Sequence, residues 1–410
     1  MNSFDLSSPE FHSIRYKVYS DLRQKEPVYW YDKMNTWLIM KHDDIMPLLK
    51  SDLLSTDYLI HEKINNTPKP LDPNIDYISQ TIKQWMIYND APTHTRLRKY
   101  MNSVFSKEHI TGVKPVINQI VKEKISNTDL SKSFDFVSNF AHPVPAQILS
   151  QMIGLDVISL DKFIAWSDAI ADFMQDFVVS PTPNKTIAKE TVKDLYDMKN
   201  AFKTAIEESK NGSKQNLLGD LVSGLGNGDD QINEDELVLQ LIHLIFGGHK
   251  IPQFVMGNYI HCLLKNKEIL DLILNNENPP IFPIVEEVMR YESPIQFITR
   301  HAKEDIVIRG KKIKKGDSVF LMLASANRDE DKFDAPEKFN PFRTRGRHVS
   351  FGGGIHTCIG ASLVNTELKE IFEQLFKGVN SIKAEYDLEN PIWTNNATFH
   401  GIKEQSLLLA

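Results

Sequence analysis

The chain has 410 residues, enough for one large domain or two or three ordinary ones. Its 47 basic and 54 acidic side chains give a formal net charge of -7, which argues against a nucleic-acid-binding surface and for a soluble, mildly acidic protein. Two cysteines, Cys262 and Cys358, exclude a fold built on disulfides and point to a reducing compartment. The amino-terminal stretch mixes charges and prolines with apolar residues and has neither a signal-peptide core nor a membrane anchor, so a cytoplasmic protein free of membranes is expected.

In chain order, residues 27–49 hold short runs rich in Val, Tyr, Trp and Ile around a polar turn, Asp32 to Asn35. This predicts a small hairpin followed by a helix opening at Asp43. From about residue 92 to 275 the pattern is mainly helical, with breaks at 180–185 and 224–230. The clearest helix has Asn233 as its cap, Glu236 three residues on, Glu234 and Asp235 in its first turn, and an end near Lys265. Its interior carries Gly247, Gly248 and Pro252, which an ordinary packed helix of that length avoids. Residues 297–324 alternate like strands joined at Gly310 and Gly316, and no internal repeat or linker is visible.

Residues 348–376, HVSFGGGIHTCIGASLVNTELKEIFEQLF, run from a glycine-rich loop through Cys358 into a helix. A thiol at a helix amino end meets free peptide N–H groups and the positive end of the helix dipole, which favour the metal-binding thiolate. His356 lies two residues before it and His348 ten. Cys262, in the apolar stretch YIHCLLKN, reads instead as a small buried hydrophobe. Zinc is poorly served, because no second cysteine stands nearby. A lone thiolate suits a planar cofactor that brings its other ligands with it, and haem with one axial cysteine is the known case.

The segment FGGGIHTCIG resembles the haem-binding signature of the cytochrome P-450 family: Phe, Gly, any, Gly, any, His or Arg, any, Cys, any, Gly. It fits at every fixed position. The resemblance extends over nearly the whole chain and implies a mainly α fold, one haem-thiolate domain over residues 1–410 with small β-sheets, holding haem b between the long helix and the cysteine loop. EEVMR resembles the family's Glu-x-x-Arg. Three residues apart on a helix, Glu287 and Arg290 would otherwise read as a surface ion pair; the resemblance makes them a structural pair beneath the haem. Likewise it implies His94 and Arg98, spaced by four on one helical face, as contacts to a haem propionate, with Arg300 and His348 as the others and His356 within the cysteine signature.

In the family the long helix crosses the distal haem face and usually reads Ala or Gly, Gly, any, acid, Thr. Here Gly247 and Gly248 match, but Lys250 stands where the acid belongs and Ile251 where the threonine belongs. The usual pair helps water deliver protons. Pro252 lacks an N–H and clashes with the Gly248 carbonyl, so the helix is expected to open there; Gly247, Gly248, Lys250, Ile251 and Pro252 together are the expected catalytic groove. The plainer account is that Pro252 only kinks a packed helix and Lys250 reaches to solvent. Three chemistries stay open: a monooxygenase taking protons through water held by Gln253 or His249 and through a substrate hydroxyl, a peroxide-using enzyme, and coupling, desaturation or rearrangement without oxygen insertion. A haem protein that only binds a ligand is the rival outside catalysis.

The resemblance implies separate electron donors, a ferredoxin and its NAD(P)H-dependent reductase, since no dinucleotide fingerprint is present and no room for a fused flavin domain is expected after the haem region. Arg343, Arg345 and Arg347, just before the cysteine loop, would suit an acidic partner. Substrate contacts by resemblance are Trp85, Met86 and Ile87, then His243, Phe246 and Gly247, then Ile295, Gln296 and Phe297, and finally Trp393 and Phe399. Most are apolar, so a hydrophobic small molecule is expected, free or carrier-protein-bound, with tailoring of a secondary metabolite as the analogy.

Overall fold

The computed structural model describes residues 4–57, 71–155, 158–179, 183–212, 216–226, 231–344 and 346–409. Helix α1 (Pro9–Lys25) begins where the Ser8 hydroxyl accepts from the Phe11 N–H and Pro9 fills the first turn. The hairpin follows: β1 (Val28–Tyr31) and β2 (Thr36–Ile39) pair antiparallel, and Asn35 takes the left-handed φ of 46° that the turn requires. Helix α2 (His42–Leu49) opens one residue before the expected Asp43, and β3 (Leu54–Ser55) succeeds it.

The helical middle comprises α3 (Pro73–Ile82), α4 (Thr93–Asn102), α5 (Lys107–Ser126), the short strand β4 (Phe134–Asp135), α6 (Pro143–Ile153), α7 (Leu160–Val179), α8 (Lys185–Asn211) and α9 (Leu217–Ser223). Then comes α10 (Glu234–Lys265), whose start is a complete capping box: Asn233 Oδ1 accepts from the Glu236 N–H at 2.9 Å, and Glu236 Oε2 accepts from the Asn233 N–H at 2.9 Å. The expected opening at Pro252 does not occur. The helix runs through it unbroken over 32 residues, because neighbours on both sides hold it: its buried flanks pack on α6, α7 and α8. Only the Gly248 carbonyl loses its intrahelical donor.

The remaining elements are α11 (Lys267–Leu274), α12 (Ile281–Tyr291), β5 (Ile298–Ala302), β6 (Ile306–Ile308), β7 (Lys311–Ile313), β8 (Ser318–Leu321), α13 (Leu323–Ala326), α14 (Ala361–Leu375), β9 (Ile382–Ala384) and β10 (Ser406–Leu409). Strands β6 and β7 turn through Arg309 and Gly310, both at positive φ, as a two-residue hairpin of this kind demands. A five-stranded sheet in the order β1-β2-β8-β5-β3 lies at one side, with smaller sheets β4-β10-β9 and β6-β7.

Two large apolar clusters divide the helices. One joins α3, α4 and α6–α9 to the first half of α10; the other joins α5, α11, α12 and α14 to its second half. Helix α10 is therefore the shared spine, and its midpoint falls where the two clusters meet. Among the described residues no helix is long and apolar enough to cross a membrane.

Candidate active site

A cavity of about 300 Å³ opens at that midpoint. One wall is α10, which contributes His243, Phe246, Gly247, Gly248 and Ile251; the facing wall is the cysteine loop from Phe351 to Gly360 and the start of α14. Gly247 faces open space, whereas a Cβ on Gly248 would come within 2.9 Å of Leu149 in α6, so the second glycine permits close helix packing.

The loop is seated by glycine too. Gly354 has a φ of 66°, and a Cβ there would stand 2.2 Å from the Leu49 carbonyl oxygen at the end of α2. Cys358, anchored by its N–H to the Phe351 carbonyl at 2.9 Å, presents its thiol to the cavity. Burial pushes that thiol up, while the backbone N–H groups of Gly360 and Ala361 and the charge of Arg98 work the other way. Cys262 is buried in the second apolar cluster and plays no part.

Basic side chains gather at one end of the cavity. His94 and Arg98, one turn apart on α4, both line it, as do Arg300 on β5 and His356 in the loop. The rings of His94 and His356 lie 4.1 Å apart, and burial pulls them down to about 4 and about 3 respectively. Both ring nitrogens of His94 are buried without a partner among the described residues. Burial also draws Arg300 down to about 10, against the pull of Asp90 and Tyr88. Buried polar groups without partners are costly, so this cluster is built to receive an anion.

Beneath the loop, Glu287 and Arg290 form a buried bidentate pair with both contacts at 2.8 Å. Arg343 joins it, its Nε donating to Glu287 Oε1 at 2.9 Å, and Arg290 also donates to the carbonyls of Asn327 and Pro336.

Comparison with known proteins agrees with this architecture. The cytochrome P-450 family model matches residues 283–379, which include Glu287, Arg290 and Cys358. The cytochrome P-450 CYP107DY1 of Priestia megaterium is 28% identical over 97% of each chain. The polyketide-biosynthesis cytochrome P-450 PksS of Bacillus subtilis is 27% identical over 98% of this chain and 97% of its own. The solved structure of PksS matches with a TM-score of 0.86 at 27% identity over 100% of both chains. That of P-450 BioI with an acyl carrier protein bearing hexadec-9Z-enoic acid matches with a TM-score of 0.86 at 26% identity, over 98% of this chain and 100% of that one. The chain belongs to the cytochrome P-450 family.

Cytochrome P-450 proteins bind haem b. The cavity of this P-450 fits that group: a thiol on one wall, hydrocarbon around it, and at one end the guanidinium groups of Arg98 and Arg300 beside His94, whose two ring nitrogens have no partner among the described residues, a set able to receive carboxylates. His348 does not join that set. It is drawn to α12 instead, with Nε2 at 3.4 Å from Glu286 Oε2 and Nδ1 accepting from the Ser350 N–H at 3.2 Å, and it does not line the cavity.

The groove residues also divide. Gly247, Gly248 and Ile251 line the cavity of the P-450; Lys250 and Pro252 do not. Lys250 neither faces the groove nor reaches solvent: its ammonium pairs with Asp168 on α7 and donates to Gln253 Oε1 at 3.2 Å, and its side chain is 12% exposed. That leaves Gln253 occupied, and His249 donates from Nε2 to the His142 carbonyl at 2.8 Å, so neither expected water holder stands in the cavity.

Of the substrate candidates, Met86, Ile87, His243, Phe246, Ile295, Phe297 and Phe399 line the cavity. Trp85 stands one layer back, stacked on His243 with centroids 5.1 Å apart. Gln296 points into the core, accepting from Tyr19 and donating to the Ser293 carbonyl, and Trp393 packs on His400 and His261. In the basic patch Arg343 is consumed by Glu287, Arg347 is exposed, and Arg345 lies outside the described residues. Sequence reasoning missed Glu367, which lines the cavity from α14 with Oε1 unpartnered and is pushed up to about 8 by burial. The signal was present: an acid amid Leu363, Val364, Leu368 and Ile371 on one apolar helix face.

Proposed function

We propose that this P-450 is a monooxygenase that oxidises a hydrophobic small molecule in secondary-metabolite tailoring, with Cys358 as the residue that would hold the haem iron and Ile251 in place of a side-chain proton carrier. The observation that carries the reading is the pairing across one cavity of the Cys358 thiol with Ile251 and the two glycines, while Lys250 is turned away toward Asp168. Bound haem b would supply the oxidising centre. Arg98 and Arg300 would neutralise its carboxylates, the uncharged imidazoles of His94 and His356 would donate hydrogen bonds to them, and Gly247 would keep the cavity wall opposite Cys358 open.

With hydrocarbon at Ile251, protons reach the cavity through water and through a polar group of the substrate. His243 offers such a group an uncharged imidazole: burial pulls it down to about 4. Electrons come from a ferredoxin and its NAD(P)H-dependent reductase, docking where Arg347 and the exposed Phe342 and Ile355 flank the cysteine loop. The likeness to PksS and to BioI, the latter solved with an acyl carrier protein, supports a substrate of polyketide or acyl type, delivered free or on a carrier.

The test is the ferrous carbon monoxide spectrum of the purified protein, followed by turnover with candidate substrates under a ferredoxin system or hydrogen peroxide. The red-shifted Soret band of thiolate ligation is expected, with product formed faster from the ferredoxin system. Its absence in folded, haem-loaded protein removes Cys358 as ligand. Product from peroxide alone turns the reading to a peroxide-using enzyme.

A further inference from the structure

A second polar cluster lies between α6, α7 and α10. His142, the residue before α6, Asp168 of α7 and His249 of α10 each offer one ligand atom, and these atoms lie within 4.8 Å of one another. His142 Nε2 is 3.3 Å from Asp168 Oδ1, and the two imidazoles stack with centroids 5.0 Å apart. None of the three lines the cavity, so the haem site does not account for them.

The tautomer of His249 is fixed by its partner. A carbonyl oxygen can only accept, so Nε2, 2.8 Å from the His142 oxygen, carries the proton and Nδ1 carries the lone pair. That nitrogen is buried, on a residue with 0% exposure, and has no partner among the described residues. An imidazole with its N–H anchored on a backbone carbonyl and its other nitrogen free is the arrangement that metal-ligating histidines adopt. Lys250 does not answer it, because its ammonium goes to Asp168 and Gln253. The carboxylate has a cation; the lone pair has none.

We propose that His142, Asp168 and His249 form a binding site for a late first-row divalent cation of the zinc or nickel class, with Lys250 as a built-in competitor for the carboxylate. Two imidazoles and one carboxylate are donors that such ions accept, whereas calcium and magnesium prefer all-oxygen sites. His142 ligates through Nε2 with its proton on Nδ1, His249 through Nδ1, and Asp168 through one oxygen, displacing the Lys250 ammonium. The side chains of His142 and Asp168 are 27% and 36% exposed, which gives the ion an entry path and a water for the fourth position. A bound ion would tie α7, which supplies Met174 to the cavity, to the spine helix.

The experiment is a calorimetric titration of tag-free, haem-loaded protein with Zn²⁺, paired with thermal unfolding. One saturable equivalent is expected, with a raised unfolding temperature and no comparable response to Ca²⁺. His142→Ala and Asp168→Asn should each weaken binding at least about tenfold, and Lys250→Met should tighten it about tenfold, the equivalent of one decade in Kd. Circular dichroism and the Soret band establish that each variant is folded. The proposal is overturned if the native protein shows no saturable equivalent, if binding survives both ligand substitutions unchanged, or if Lys250→Met binds zinc no more tightly than native protein.

Discussion

Lys250 and Asp168 hold α10 to α7 by an ion pair that turns the lysine away from the cavity. Burial works against ionisation of Asp168, yet hydrogen bonds and charge from His142 and Lys250 hold its carboxyl down at about 2. Asp168→Asn would leave a largely buried ammonium without its counter-charge. Because Asp168 is itself partly open to water, the expected cost is about 1–3 kcal/mol, below that of a fully buried pair. Urea denaturation of both single variants and of Lys250→Met with Asp168→Asn checks this: the double variant should recover most of the loss.

Ile251→Thr places a hydroxyl on the cavity wall where hydrocarbon now stands. The expected outcome is a change in the ratio of product formed to NADPH consumed, measured with a reconstituted ferredoxin system. An unchanged ratio would show that protons do not pass this position.

The two glycines should respond in opposite ways to alanine. Gly247→Ala meets nothing within 4 Å, so helix propensity stabilises the fold by about 0.5–1 kcal/mol while the methyl intrudes on the cavity and weakens ligand binding. Gly248→Ala drives a methyl to 2.9 Å from Leu149, cancelling that gain or costing about 1–3 kcal/mol. Thermal unfolding and ligand-induced Soret shifts separate the two effects.

Glu287→Gln breaks a buried network that serves Arg290, Arg343 and the Asn340 N–H together. A loss of about 3–5 kcal/mol is expected, read as a fall in the yield of haem-loaded protein and in its unfolding midpoint.

Stability should fall with acid well before carboxylates protonate. Burial draws His243 and His261 down to about 4, against an ordinary value near 6.5. Below about pH 6.5 the unfolded chain binds protons that these folded imidazoles refuse, so the contribution is lost as pH falls from there to about 4. Unfolding midpoints taken between pH 7.5 and 4 should decline across that window, and His261→Gln should flatten the decline.

The parts legible in the sequence were those set by local chemistry. The capping box at Asn233, the hairpin before α2 and the glycine turn at Gly310 follow from residues adjacent in the chain. What local rules could not supply was which way a side chain turns once another element arrives. Lys250 and Ile251 are neighbours, yet Asp168, some eighty residues earlier in the chain, decides that only one faces the cavity. Glu286 does the same to His348, and a stacked His243 moves Trp85 to the second layer. Pro252 stays within an unbroken helix for a related reason: packing from three helices outweighs one missing hydrogen bond.

Gly354 rests where a single added carbon would strike the carbonyl of Leu49. The resting place of the Cys358 thiol is thus registered against the amino-terminal part of the chain as well as against its own loop. Damage at the far end of α2, though it spares every residue around the sulfur, should broaden the spectrum of the haem-loaded protein into a mixture of closely spaced forms.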